Sequence, residues 1–447
     1  MRIAYVAAGA AGMYCGSCLH DNTLATALLR QGHEVTLIPT YTPLRTDEPD
    51  ASIGRVFYGA INVYLEEKLS LFRHTPRFLD RLLNGRGLLN QVGRFAGSTS
   101  ARELGALTYS VLAGEHGHQA KELDRLVEFL ATLQPQVVQL TNALFLGFAG
   151  EIRRRLGVPV VCGLTGEDLF LDELDEPWRT RVHEEMRRRA ADADGFLATS
   201  RYYAEAMREL LRVPEERLHV VPLGVSLTDV HPSRRDGRRE ETGEASPFVI
   251  GYLARIAPEK GLHLLLDAFR ILVRERERRG AEDHGPDLRL RAAGWVGTRY
   301  QPYVDDLRAK VQDWGLTDRV EILGEVDRQE KLRFLSTLDV LSVPSPYKEP
   351  KGLYVLEAWA HGVPVVQPRH GAFPELLGDT GGGVLFEPGS PHALAEALSR
   401  LVKNPERARE LGRRGRQALA DRYHDDAMAA RTVAVYERVA SGRSTRW

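Results

Sequence analysis

The sequence predicts an α/β protein with two doubly wound parallel sheets, and three observations carry that expectation. The chain has 447 residues, enough for two or three ordinary cores. Short β-rich apolar runs alternate with helical patterns over almost its whole length, the pattern of parallel sheets covered by helices on both faces. Residues 232–247, rich in Ser, Arg, Asp, Gly and Glu and almost free of apolar side chains, split the alternation into two series.

The first series places strands at 3–8, 34–40, 137–141, 159–164, 195–199 and 219–223. Its opening residues have the charged start and apolar run of a signal peptide, but a buried strand entering a glycine-rich turn and a helix with Leu24, Ala27 and Leu28 spacing explains them better. The second series places strands at 248–253, 288–293, 320–323, 340–343, 364–367 and 384–386. The expected organisation is an acceptor-side domain over 1–231 with a helical insertion at about 55–134, a linker at 232–247, and a second domain at 248–424. A helix within 425–447 would cap its domain or cross back to the first. In the insertion, Leu71, Phe72, Arg73, His74, Arg77 and Phe78 would suit a lipid surface or an acceptor. A helix burying Phe and Leu and exposing Arg accounts for them more simply.

Charge narrows the partners. Sixty Lys and Arg against 61 Asp and Glu leave a net charge of -1, so there is no general pull toward nucleic acid, and any basic site must be local. Three cysteines cannot form a disulfide framework, which favours a reducing, cytoplasmic setting, with the inner membrane face as a variant of it. The apolar run 137–150 is broken by Gln139, Thr141 and Asn142 and is too short for the ~20 residues of a spanning helix. Nothing in the sequence sets an oligomeric state.

Two sheet-end motifs carry the chemistry. In the segment Pro344 to Ala358, Gly352 lets the backbone approach a ligand, and the free amides at a helix start suit a phosphate or sugar oxygen. Glu349 and Glu357 lie eight residues apart there; carboxylates accept from sugar hydroxyls, which makes Glu357 a candidate ribose ligand and Glu349 a candidate ligand of a transferred sugar. In the segment Gly251 to Gly261, Arg255 can grip diphosphate oxygens with its fork and Lys260 as a point charge.

Arg255 with Lys260-Gly261, then Glu349 and Glu357 followed by Ala358, Gly362, Pro364 and Val365, resembles the family-four retaining glycosyltransferases of GT-B fold. Val221-Pro222-Leu223-Gly224-Val225 and Gly32-His33-Glu34-Val35 extend the likeness into the first half. The resemblance implies two Rossmann-like domains facing across a cleft. It also implies transfer of a sugar from a nucleotide diphosphate sugar to a carbohydrate or glycoconjugate acceptor with retained anomeric configuration. Arg255 and Lys260 would bind the pyrophosphate, Glu357 the ribose and Glu349 the sugar. Amides of Gly352, Leu353, Tyr354 and Gly16 would close on the phosphates. No metal or other cofactor is required, and the donor order is UDP-sugar before GDP- or ADP-sugar.

Three departures from the family pattern stand out. Thr165, in Leu164-Thr165-Gly166-Glu167-Asp168, occupies a position where many members carry a histidine; Thr165, Glu167 and Asp168 are the candidates on the acceptor or sugar side. Lys351 stands where an aromatic residue is common. Cys15-Gly16-Ser17-Cys18-Leu19-His20-Asp21 has a CxxC spacing, for which small residues shaping a tight loop are a simpler account than zinc or redox chemistry, with Cys162 as the remote third thiol. Asp192-Ala193-Asp194 spells an acid-x-acid metal pattern away from the expected donor loop. The alternatives are an epimerase or phosphorylase on the same architecture, or a regulator that binds nucleotide sugar without turnover.

Overall fold

A computed structural model describes residues 1–9, 16–59, 63, 67, 104–230, 246–280 and 285–442. The central part of the polar stretch, Cys15, and the cluster from Leu71 to Phe78 lie outside them. The chain folds into two units, Met1–Gly224 with Asp425–Trp447, and Val225–His424. Val225 goes with the second unit because its N–H donates to Tyr423 O at 3.1 Å and it bridges to His424.

In the first unit six parallel strands lie in the order β2-β1-β3-β4-β5-β6. They are β1 (Arg2–Ala7), β2 (Glu34–Pro39), β3 (Val137–Leu140), β4 (Val160–Leu164), β5 (Gly195–Ala198) and β6 (Leu218–Val220). The chain runs outward from β1 to β2 and then returns to place β3 on the other side of β1, so strand order reverses between β1 and β3. Successive residues of β1 feed opposite cores: Ala4 and Val6 pack with Val138 and Phe145, while Ile3, Tyr5 and Ala7 pack with Leu24 and Leu28. A parallel sheet must be covered on both faces in this way. Helix α1 (Gly16–Arg30) supplies the second of these layers, and α2 (Ala120–Leu133) supplies Leu123, Leu126 and Leu130 to the first. Helix α3 (Arg201–Leu211) starts at Ser200, whose side chain accepts from the Tyr203 N–H.

The second unit repeats the plan with order β12-β11-β10-β7-β8-β9. Its strands are β7 (Phe248–Leu253), β8 (Leu288–Ala293), β9 (Val320–Gly324), β10 (Val340–Leu341), β11 (Val365–Pro368) and β12 (Gly383–Phe386). Here the order reverses between β7 and β10, which pair in parallel with Leu341 opposite Gly251. The helices that matter are α4 (Leu262–Arg279), α5 (Arg328–Ser336), α6 (Leu353–Ala360) and α7 (Phe373–Thr380). A capping box in which Asp327 and Glu330 bond each other's backbone starts α5.

The last helix, α8 (Asp425–Ala440), belongs to the first unit. Met428, Val435 and Tyr436 join the core that holds Tyr5 and Leu28, and the Tyr436 hydroxyl donates to Gln139 of β3. Among the described residues no helix is long and apolar enough to cross a membrane.

Candidate active site

Open α/β sheets bind ligands at the carboxyl ends of strands where their order reverses. In the second unit that point lies between β7 and β10, and both motif loops leave there. The β7 loop turns through Pro258–Lys260 into Gly261, whose φ of 76° is left-handed and whose added Cβ would lie 2.1 Å from Pro344 O. Only glycine fits there without strain or collision. Ser345, in the neighbouring β10 loop, donates to Glu259 O at 2.8 Å and ties the two loops together.

The four charged residues anticipated from sequence are all partnered within the protein. Lys260 Nζ bonds the Glu349 carboxylate, and the Arg255 guanidinium bonds Glu259. Glu357, one turn into α6, accepts from Lys331 Nζ of α5 at 2.6 Å. Burial pushes the Glu349 carboxyl up, but Lys260, the charge of Lys351 and the Lys351 backbone N–H together hold it below the usual carboxylate range. Arg255 also faces the Tyr300 ring, with Cζ 5.9 Å from its centroid.

Glycine again sets the loop. Gly352, with φ 69°, caps α6, and the backbone amides of Leu353 and Tyr354 open that helix. Gly371 has φ 59°, and an added Cβ would lie 2.5 Å from Glu349 O and 2.8 Å from Glu349 N, so the loop entering α7 presses directly on the Glu349 backbone. Ala372 N–H seals the contact by donating to Glu349 O at 2.9 Å. The Tyr354 hydroxyl and both polar atoms of the Gln367 side chain are buried with no hydrogen-bond partner among the described residues. Such groups mark places where a ligand or water completes the bonding.

In the first unit Gly16 opens α1, and Ser17 Oγ donates to Thr165 Oγ1 at 3.4 Å. Glu167 is buried and braces two strand ends, accepting from Ala143 N at 2.9 Å and Thr165 N at 2.7 Å. Its carboxyl is held above the usual range because burial outweighs these amides, with the charge of Asp168 adding to the rise. Tyr203 Oη sits between Glu167 and Asp168, at 3.1 and 2.9 Å. Cys18 and Cys162 carry no disulfide and pack in the two different cores of the sheet, so the structure does not bring these thiols together. Burial first, and then Glu167, push the Cys162 thiol well up, away from reactivity. Asp194 accepts from Val160 N–H at 2.9 Å and pairs with Arg153 at 3.1 Å.

The sequence reading did not assign Glu259, Lys331 or Tyr203. Glu259 had a signal, its spacing four residues after Arg255; Lys331 lies 26 residues from Glu357 and had none. The arrangement can exchange its internal pairs for a ligand, the cations taking phosphate oxygens and the carboxylates taking hydroxyls.

Two parallel doubly wound sheets with paired charges at a strand-order reversal define an α/β protein of the GT-B class. Residues 22–224 match the family described as "Glycosyl transferase 4-like domain" and residues 234–418 match "Glycosyl transferases group 1". The chain belongs to the family-four GT-B glycosyltransferases. It is 28% identical over 299 residues to a D-inositol 3-phosphate glycosyltransferase of Segniliparus rotundus, a match covering 65% of this chain and 63% of that one. It is 31% identical over 256 residues to an MMP alpha-(1->4)-mannosyltransferase of Mycolicibacterium hassiacum, covering 57% and 56%. The chain thus spans about three-fifths of these curated relatives. Sucrose-phosphate synthase from Thermosynechococcus elongatus shares the fold, with a TM-score of 0.70 at 19% identity, covering 99% of each chain.

Proposed function

We propose that this protein is a retaining glycosyltransferase that moves a sugar from a nucleotide diphosphate sugar to a hydroxyl of a carbohydrate or glycoconjugate. The observation that carries the reading is the charge set beyond β7 and β10, with Arg255 and Lys260 in the loop after β7, Glu349 in the loop after β10, and Glu357 one turn into α6. In this reading Arg255 and Lys260 neutralise the departing diphosphate, the amides of Gly352 to Tyr354 cradle it, Glu357 takes the ribose hydroxyls and Glu349 orients the sugar. The buried Tyr354 hydroxyl, whose proton is held by burial and by the charge of Glu349, gains a partner when a sugar binds. In the same reading Gly16 remains a candidate phosphate ligand, Thr165 and Asp168 are candidates on the acceptor or sugar side, and Glu167 holds their loop. Mannosyl transfer in the name of the second relative, and the name of a further one, a GDP-mannose-dependent alpha-(1-6)-phosphatidylinositol dimannoside mannosyltransferase of Mycobacterium tuberculosis, add GDP-mannose to the UDP-sugars to be tested.

Stabilising negative charge on the leaving diphosphate is the main electrostatic task, and the loss of one such donor typically costs about 3 to 4 kcal/mol of barrier. The departing phosphate can itself take the acceptor's proton. The test begins with thermal denaturation in the presence of UDP-, GDP- and ADP-sugars, since a ligand of the native state raises its apparent stability. Donors that bind are then incubated with D-inositol 3-phosphate, methyl α-mannoside and methyl α-glucoside, and product anomers are read by NMR. A shift with one donor class and an α-linked product from an α-linked donor are expected. Inversion at the anomeric carbon would overturn the retaining mechanism, and no shift with any donor would overturn the reading itself.

A further inference from the structure

We infer that His20, oriented by Asp21, binds a hydroxyl of the acceptor, an inference that rests on the glycosyltransferase reading above. Asp21 lies in α1 and is fully buried. Three side chains converge on it: Tyr5 Oη from β1 donates at 2.5 Å, Thr141 Oγ1 just after β3 donates at 2.6 Å, and His20 Nδ1 lies 3.1 Å away. Tyr5 and Thr141 come from the two strands between which the first sheet reverses its order, the place where such a sheet takes a ligand.

Tyr5 and Thr141 already satisfy both oxygens of the carboxylate and fix α1 to the sheet. The imidazole is therefore not needed to hold the fold, and its contact with Asp21 does something else: it places the ring proton on Nδ1 and leaves Nε2 as an acceptor. Nε2 has no partner among the described residues, and the ring keeps 10% of its surface exposed. One turn earlier on the same helix, Ser17 meets Thr165. Residues three apart on a helix share a face, so the imidazole nitrogen and the two hydroxyls form one polar group that can hydrogen-bond a hydroxyl. That chemistry fits a polyhydroxyl ligand.

Two measurements test it. Diethyl pyrocarbonate acylates an accessible unprotonated imidazole nitrogen, and peptide mapping of the resting wild-type protein should find His20 modified; an unreactive His20 overturns the open nitrogen. With the donor and acceptor found above, His20→Ala should raise the acceptor KM by about tenfold, as expected for one lost hydrogen bond. The donor-induced thermal shift should stay unchanged, His20→Gln should recover part of the loss, and Asp21→Asn should reproduce it. An acceptor KM within twofold of wild type, or a donor shift lost together with acceptor binding, overturns the role. Failure of the wild-type protein to transfer with any pair sinks the glycosyltransferase reading and this role with it.

Discussion

At Glu349 the structure joins two demands in one side chain, since the carboxylate is buried and yet held ionised by Lys260 and Lys351. Glu349→Gln keeps the shape and removes the charge, and transfer should fall about 100- to 1,000-fold in a steady-state assay, the size seen when one electrostatic contact to a transition state is lost. A carboxyl with a depressed folded-state value contributes stability that is present above its unfolded value of about 4.3 and lost as the pH falls through the lower folded value. The Tm difference between wild type and Glu349→Gln should accordingly shrink in melts taken below about pH 4. Lys260→Met strands the carboxylate in a buried site and should cost about 3 to 5 kcal/mol in urea denaturation, part of which returns when Glu349 is replaced as well. Glu349 and Lys260 were legible as residues because their types and loop positions suit a diphosphate sugar. Their pairing, and the partner Lys331 of Glu357, were not, because a contact across 26 or 89 residues depends on strand order.

The loops are positioned by glycines in the left-handed region. Gly371→Ala adds a methyl group against the Glu349 backbone in a conformation that L-residues avoid, a strain of about 1 to 3 kcal/mol before any collision is counted. We expect kcat to fall by more than the loss in Tm suggests, because the displaced element is the Glu349 loop; an activity unchanged within twofold would show that the loop has another support. All twelve strands were visible as apolar runs, most with ends displaced by a residue or two, while β6 stops at Val220, three residues short of the expected end at 223. β10 likewise forms only Val340–Leu341 of the expected 340–343. Ser342 N–H makes the last ladder bond of β10 to β7, donating to Gly251 O at 2.9 Å, and its hydroxyl donates to Val366 O at 2.6 Å. Apolar patterning reports burial, and buried loop residues such as Val343 carry the same pattern as a strand.

At the scale of the whole chain, α8 returns to the first unit, leaving Tyr436 bonded to Gln139 and Arg438 3.5 Å from His219 of β6. Tyr436→Phe leaves the buried Gln139 oxygen short of its donor and should cost about 1 to 3 kcal/mol by chemical denaturation. Burial first, and then Arg438, bring His219 down to about 4. Between an unfolded value of about 6.5 and that folded value, the unfolded chain binds a proton that the native state refuses. Stability should therefore decline as the pH falls through this window, and His219→Gln should flatten the decline in melts between pH 7 and pH 4. An unchanged slope would show that other groups govern it. The sequence by itself determined the α/β class, the two series of strands, the charge balance and the residues fit to meet a diphosphate and a sugar, because residue type and short spacings encode these locally. Only the tertiary structure decided which charges pair, which unit receives the last helix, and how Asp21 and His20 meet Tyr5 and Thr141. Those outcomes depend on where strand order reverses, and that is settled by packing both faces of each sheet at once, a condition no short stretch of sequence contains.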